Sequence, residues 1–121
     1  MKLFWCDVVS SRELSSDQAR TVDLSEAERI WFDEIHGVEG SFVGLTDDAG
    51  RTIQFIFDRG LANNEDSSDL LRIIRVDFPC PERSGSFTAM LTGEEVLRWM
   101  QDAFEKGADP ARFHGLSFEP W

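Results

Sequence analysis

The chain has few of the features by which a sequence reveals its chemistry. Its two cysteines, Cys6 and Cys80, are spaced as neither a CxxC redox motif nor a zinc site. No apolar run approaches the roughly 18 residues of a membrane span. The start, MKLFWCDVV, lacks the long apolar segment of a secretory signal, and no glycine-rich nucleotide-binding motif is present. We therefore expect a cytoplasmic protein and predict no cofactor.

Positive charge is also scarce. Twelve basic residues stand against 23 acidic ones, a formal net charge of −11. Such a surplus repels nucleic acid and anionic membranes, so we expect neither as a partner. It attracts a basic protein partner. It also keeps a protein soluble without any partner, so the net charge alone does not decide between binding and simple solubility.

What is present fits one domain over residues 1–121, since this length and 41% hydrophobic content suffice for a single core. Residues 2–9 mix β-branched and aromatic side chains as a strand does, and residues 41–45 and 51–57 flank a turn as the strands of a hairpin do. Residues 70–78 and 86–91 also have the character of β-strands. Helical spacing with capping residues occurs in residues 25–36 and 92–107. We predict an α+β fold in which a mainly antiparallel sheet of about four to five strands is packed by two α-helices.

Two further features concern the second half of the chain. Pro79-Cys80-Pro81 is predicted to end the strand before it, because proline donates no hydrogen bond to a sheet. The last fourteen residues contain Phe113, Leu116, Phe118 and Trp121. A tail with this apolar content should pack back on the domain rather than remain disordered.

Acidic and amide side chains concentrate in two surface segments. The stretch DRGLANNEDSSD, residues 58–69, has the composition of an exposed loop, and the turn at Asp47 and Asp48 is acidic as well. The loop does not have the spacing of an EF-hand, so no metal site is predicted. The residues predicted to bind a basic protein partner are Asp47, Asp48, Asn64, Glu65, Asp66 and Asp69.

No residue is predicted to be catalytic, and two alternatives to partner binding stay open. Asp77 lies two positions from Arg75 on an otherwise apolar strand, which fits either a structural ion pair or a site. The first alternative is a small enzyme or ligand-binding domain whose pocket, between sheet and helices, is lined by Arg72, Arg75, Asp77 and His114. The second is a homodimer formed through a sheet edge or the apolar tail.

Several segments together resemble one family. They are GSFVGLTD (40–47), RTIQF (51–55), VDFP (76–79), GSF (85–87) and LTGEEV (91–96). Over residues 38–121, these segments and the order of elements resemble small acidic immunity proteins of bacterial polymorphic-toxin systems. The resemblance implies a non-enzymatic inhibitor that occludes a toxin, and acidic charge suits a toxin with a basic, nucleic-acid-binding cleft. It carries over no toxin-facing residue.

Overall fold

An antiparallel sheet organises the fold. The computed structural model describes residues 1–58 and 74–121, and in these the sheet has eight strands. The strands are β1 (Lys2–Asp7), β2 (Arg12–Leu14), β3 (Arg20–Thr21), β4 (Phe42–Thr46), β5 (Thr52–Phe57), β6 (Ile74–Cys80), β7 (Gly85–Leu91) and β8 (Ser117–Pro120). Their order is β2-β1-β4-β5-β6-β7-β8, and β3 also pairs with β1. The α-helices in the same residues are α1 (Leu24–Asp33) and α2 (Gly93–Lys106).

The prediction of one α+β domain with an antiparallel sheet and two helices is confirmed, but the predicted number of strands is wrong. The sheet has eight strands rather than four to five. The additional strands β2, β3 and β8 contain three, two and four residues. Segments this short show no alternation in the sequence, since pairing with a longer neighbour creates them. No helix of the described residues is long and apolar enough to cross a membrane.

The strand β6 runs through Pro79, which the sequence predicted to be its end. Pro79 pairs with Ser86 of β7, whereas the pairing of β6 with β5 stops at Asp77. Beyond Asp77 the strand is therefore bonded on one side only, and proline is tolerated at such an edge position. Pro81 then begins a short 3-10 turn that leads into β7.

Capping residues set both helix starts. Thr92 and Glu95 form the predicted capping box of α2, which ends at Gly107 with φ at 85°. In α1 the cap is Asp23, whose side chain accepts a hydrogen bond from Glu26. The sequence predicts this helix over residues 25–36 with Ser25 as its cap, whereas the helix spans Leu24–Asp33. Aspartate caps a helix as well as serine does, and of the two possible capping residues the earlier one, Asp23, is used.

The core lies between one face of the sheet and the two helices. Leu3, Leu45 and Ile53 lie side by side on β1, β4 and β5 and are fully buried. Trp31 of α1 stacks on Phe57 with ring centroids 5.0 Å apart. The tail packs back as predicted, because β8 pairs with β7 and Phe113 lies 5.0 Å from Phe78, centroid to centroid.

The opposite face of the sheet contains one close contact between neighbouring strands. Phe4 of β1 lies across from Gly44 of β4, and a Cβ atom at Gly44 would overlap the Phe4 ring. The ring also meets Phe42 edge-on, at a centroid distance of 6.1 Å. Glycine at position 44 therefore lets an aromatic side chain lie flat on the sheet.

Gly44→Ala should lower the free energy of unfolding by about 1–3 kcal/mol, because the added methyl group forces Phe4 out of its position. Chemical denaturation at pH 7 measures this. The control is Gly93→Ala, where an added Cβ meets nothing within 4 Å. In that variant stability should be unchanged or raised by up to about 1 kcal/mol, since alanine favours a helix. Equal effects of the two changes would contradict the role given to Gly44.

Candidate functional site

Only part of the predicted partner-binding site can be placed. Asn64, Glu65, Asp66 and Asp69 lie outside the described residues, and so does Arg72 of the alternative pocket. Asp47 and Asp48 lie in the turn between β4 and β5, as predicted.

Asp47 is engaged by its own protein. Its carboxylate accepts hydrogen bonds from the backbone N–H groups of Ala49, Arg51 and Ala108, at 2.9–3.0 Å, and from Nε of Arg51 at 2.9 Å. Burial by itself raises the pKa of this carboxyl, but the hydrogen bonds from Arg51 and Ala108 outweigh it and lower the pKa. Asp47 thus holds the turn against the segment after α2. Asp48 is exposed and is the one of the two that faces solvent.

The structure brings together two of the residues predicted for the alternative pocket. Arg75 and His114 both line a groove of about 490 Å³, which runs along β7 past the point where β8 stops pairing with it. Asp77 is not part of its lining. Burial raises the pKa of Asp77, against the lowering effects of a hydrogen bond with Ser86 and of the Arg75 charge. Asp77 and Arg75 therefore interact electrostatically, as the sequence suggested, but only Arg75 borders the groove.

A buried carboxylate at the end of β1 is a feature that the sequence did not reveal. Asp7 is fully buried. It accepts hydrogen bonds from the Ser10 backbone N–H at 3.1 Å and hydroxyl at 2.7 Å, and from the Ser41 hydroxyl at 3.3 Å. The backbone N–H of His36 donates to it at 3.0 Å, and the His36 Nδ1 lies 2.7 Å away. One side chain thereby joins β1, the turn after it, and the connection from α1 to β4.

These bonds fix the ionisation of Asp7. Burial alone would raise its pKa, but hydrogen bonds from the Ser10 side chain and from the backbone and ring of His36 outweigh burial and lower the pKa far below its usual range. Because a carboxylate only accepts, Nδ1 of His36 is the donor and Nε2 faces away from Asp7. Both nearby hydroxyls, Ser10 and Ser41, are directed at Asp7. The cluster is thus arranged to hold loops together rather than to activate a nucleophile.

The Asp7 cluster positions a part of the surface that exposes large apolar side chains. Val8 and Val9, in the turn directly after Asp7, are 45% and 56% exposed, and Phe32 near the end of α1 is 63% exposed. The backbone N–H of Val8 donates to the Ser41 hydroxyl at 3.1 Å, which ties the turn to β4. Contiguous exposed apolar patches, rather than single exposed apolar residues, are typical of interaction sites.

Negative charge is distributed unevenly along the chain. Residues 1–58 contain twelve acidic and five basic residues, formally −7, whereas residues 74–121 contain eight and five, formally −3. In the strand order, β1 to β5 form the half of the sheet at one edge, and β6 to β8 form the half at the other edge. Residues 23–39, which include α1, contain six acidic residues and one arginine, formally −5. The surplus of negative charge is therefore larger in the part of the chain that contains α1.

Part of this charge is neutralised by arginines. Glu26 pairs with Arg20 and Arg29 at 2.9–3.0 Å, and Glu34 pairs with Arg12 at 3.1 Å. Glu28, Asp33 and Glu39, in contrast, have no basic side chain within 4 Å in residues 1–58 and 74–121. Glu28 and Phe32 lie four positions apart on α1, and Asp33 ends the helix. We call these three residues, together with Glu39 in the segment that follows, the α1 face.

One signal in the sequence could have identified the α1 face. Ala27, Ile30 and Trp31 are the buried residues of α1, and Phe32 lies off their stripe, between acidic residues. A large aromatic side chain on the polar side of an amphipathic helix indicates a role outside the core. No protein-family model, curated protein or solved structure matches this chain.

Asp7→Asn should lower the free energy of unfolding by about 3 kcal/mol at pH 7, because a neutral amide replaces a buried charge to which several donors point. Chemical denaturation measures the loss. Asp48→Asn, at an exposed position, should change stability by less than about 0.5 kcal/mol. The explanation given for Asp7 is incorrect if both variants lose the same amount.

The same variant predicts a pH dependence. The pKa of Asp7 is lower in the folded protein than its unfolded value of about 3.9, so its contribution is complete above roughly pH 5 and is lost as the pH falls towards the folded pKa. The stability difference between the wild type and Asp7→Asn should therefore narrow from pH 7 to pH 3. A constant difference over that range would contradict the lowered pKa.

Proposed function

We propose that this chain is a non-enzymatic binding domain that docks a basic protein through the α1 face. The observation that carries the proposal is Phe32, 63% exposed on a helix whose neighbouring carboxylates Asp33 and Glu28 have no basic side chain within 4 Å in the described residues. An exposed aromatic anchor within a charged rim is the composition of protein interfaces. Because the rim around Phe32 carries negative charge, it favours a cationic partner.

The charge asymmetry supports the same function. Unpaired carboxylates on one side of a domain steer a basic partner to that side, since the local potential there adds to the field of the whole protein. Glu26 of α1 and Glu34 directly after the helix are paired with arginines. The partner would therefore meet a preformed surface, which lowers the ordering cost of binding.

An immunity-type inhibitor is the specific form of this function that we propose. The inhibitor would occlude a toxin whose basic cleft binds nucleic acid. Because an inhibitor is expected to be encoded beside its target, the product of the neighbouring gene is the first partner to test. Growth arrest by that product, relieved by co-expression of this chain, would support the proposal. Growth arrest that co-expression leaves unchanged would remove the immunity role but not partner binding itself.

The binding proposal is tested with a partner captured from an extract of the native cell, identified by mass spectrometry and purified. Neutralising Glu28, Asp33 and Glu39 together, as Gln, Asn and Gln, should weaken its binding about tenfold at 0.15 M salt, mainly by slowing association. Phe32→Ala should weaken binding about tenfold by speeding dissociation. Surface plasmon resonance separates the two rates.

The matched control neutralises Glu94, Glu105 and Glu119, three exposed acidic residues of the other half of the chain. It changes the net charge by the same amount, so it should change affinity by less than about twofold if position rather than total charge matters. Equal losses in the two triple variants, or a captured partner that is itself acidic, would overturn the α1 face as the docking site.

The groove that contains Arg75 and His114 supports a second candidate function, a small-molecule site or small enzyme. Its volume of about 490 Å³ is within the range of ligand pockets. A fragment screen followed by NMR would find ligands that shift the amide signals of Ala89 and Leu91, which also line the groove. Arg75→Gln and His114→Gln should then each weaken such a ligand. Ligands that bind both variants as tightly as the wild type would exclude this function for the groove.

A further inference from the structure

A second groove lies at the other end of β7, around a rigidly held arginine. Arg83 ends the 3-10 turn Pro81–Arg83, and Ser84 after it adopts a left-handed conformation with φ at 52°. The guanidinium group of Arg83 lies 5.2 Å from the centroid of the Phe87 ring and 4.8 Å from that of Phe118. Contacts of this kind hold a cation in place without neutralising it.

Glycine makes this arrangement possible. Gly85 of β7 lies next to Phe118, and a Cβ atom at position 85 would overlap both the Phe118 ring and the backbone of Glu119. The missing side chain therefore lets Phe118 lie close to β7, beside Phe87, at a centroid distance of 5.2 Å. The two rings together form the support beneath the Arg83 guanidinium group.

Arg83 differs from most cations of residues 1–58 and 74–121, because within these residues no carboxylate lies within 4 Å of it. Seven basic side chains of the same residues do have a carboxylate oxygen within 4 Å: Arg12, Arg20, Arg29, Arg51, Arg75, Arg98 and Lys106. In the part of the chain that the structure describes, Arg83 has none. Hydrogen bonds from its own backbone and from the Cys80 thiol, followed by the charge of Arg83, lower the pKa of the adjacent Glu82. Glu82 therefore acts on Arg83 through its charge but forms no ion pair with it within 4 Å in the described residues.

The groove beside Arg83 has apolar walls. Its volume is about 490 Å³, and Phe87, Phe113 and Leu116 line it together with Arg83 and His114. Asp109 is also at its margin, but this carboxylate is paired with Arg51 at 3.2 Å and accepts a hydrogen bond from Ala111. The charge available to a ligand is thus the positive charge of Arg83.

We propose that this groove binds a small organic acid, with its apolar or aromatic body between Phe87, Phe113 and Leu116 and its carboxylate on Arg83. A guanidinium group presents paired N–H donors that match the two oxygens of a carboxylate. Pockets of this size with mostly apolar walls and a few polar groups are typical ligand sites. At 0.15 M salt the screening length is about 8 Å, so distant carboxylates of the protein repel the ligand only weakly.

The test compares 4-phenylbutyrate with the uncharged 4-phenylbutan-1-ol, titrated into the full chain at pH 7 and followed by ¹H–¹⁵N NMR. The acid should shift the amide signals of Arg83, Phe87 and residues 111–116. It should also bind at least about tenfold more tightly than the alcohol, the usual worth of a hydrogen bond to a charged group.

Two variants test whether Arg83 causes the preference for the acid over the alcohol. Arg83→Gln should bring the acid and the alcohol to equal affinity, whereas Arg112→Gln should keep the difference. Arg112 is the matched control because it is an arginine that likewise has no carboxylate within 4 Å in the described residues and lies outside the groove lining. Ala111→Trp, which fills the groove at an exposed position, should weaken both ligands. Equal affinities in the wild type, a preference that survives Arg83→Gln, or signals that shift elsewhere would overturn the proposal.

Discussion

The buried carboxylate of Asp7 is the constraint on which the arrangement of β1, the turn after it and the connection from α1 to β4 depends. It joins parts of the chain 29 and 34 residues apart, through His36 and Ser41. Removing a charge from water is expensive unless donors replace the lost hydration, and here serine hydroxyls, backbone N–H groups and a histidine ring do so. Because those donors come from the turn after β1 and from the connection between α1 and β4, a single ionised group sets where the exposed Val8 turn and the end of α1 lie.

Carboxylates such as Asp7, which are bonded within the protein, must be distinguished from carboxylates that are available to a binding partner. Asp7 and Asp47 are both occupied by their own protein, and Glu26 and Glu34 are paired with arginines. An excess of negative charge in the composition is therefore a poor guide to a binding site, since some of these carboxylates hold the fold together. Those that remain unpaired around Phe32 are what gives the α1 face its proposed function. Arg83 presents the opposite case, a cation without a carboxylate within 4 Å among the residues that the structure describes.

Structures formed by residues close together in the sequence were predictable, whereas contacts between distant segments were not. The capping box at Thr92 and the hairpin around Asp47 depend on residues within a few positions of one another, so their patterns predicted them. The short strands β2, β3 and β8 exist because longer neighbours pair with them. The Asp7 cluster and the ring support beneath Arg83 join distant segments, and no spacing rule reveals such contacts. The position of Phe32 among acidic residues was evident in the sequence. Proposing the α1 face as a binding site also required the structure, which shows which carboxylates form ion pairs.

Site-specific photo-crosslinking in the native cell tests the central claim most directly. A benzophenone side chain placed at position 32 reports what touches the α1 face. One at position 121 serves as control, because Trp121 is 71% exposed and follows β8, the strand at the far edge of the sheet from β1 and β2. If a basic protein docks on the α1 face, position 32 gives a discrete covalent adduct with that protein and position 121 gives none. An adduct from position 121 alone, or no adduct from position 32, would contradict it.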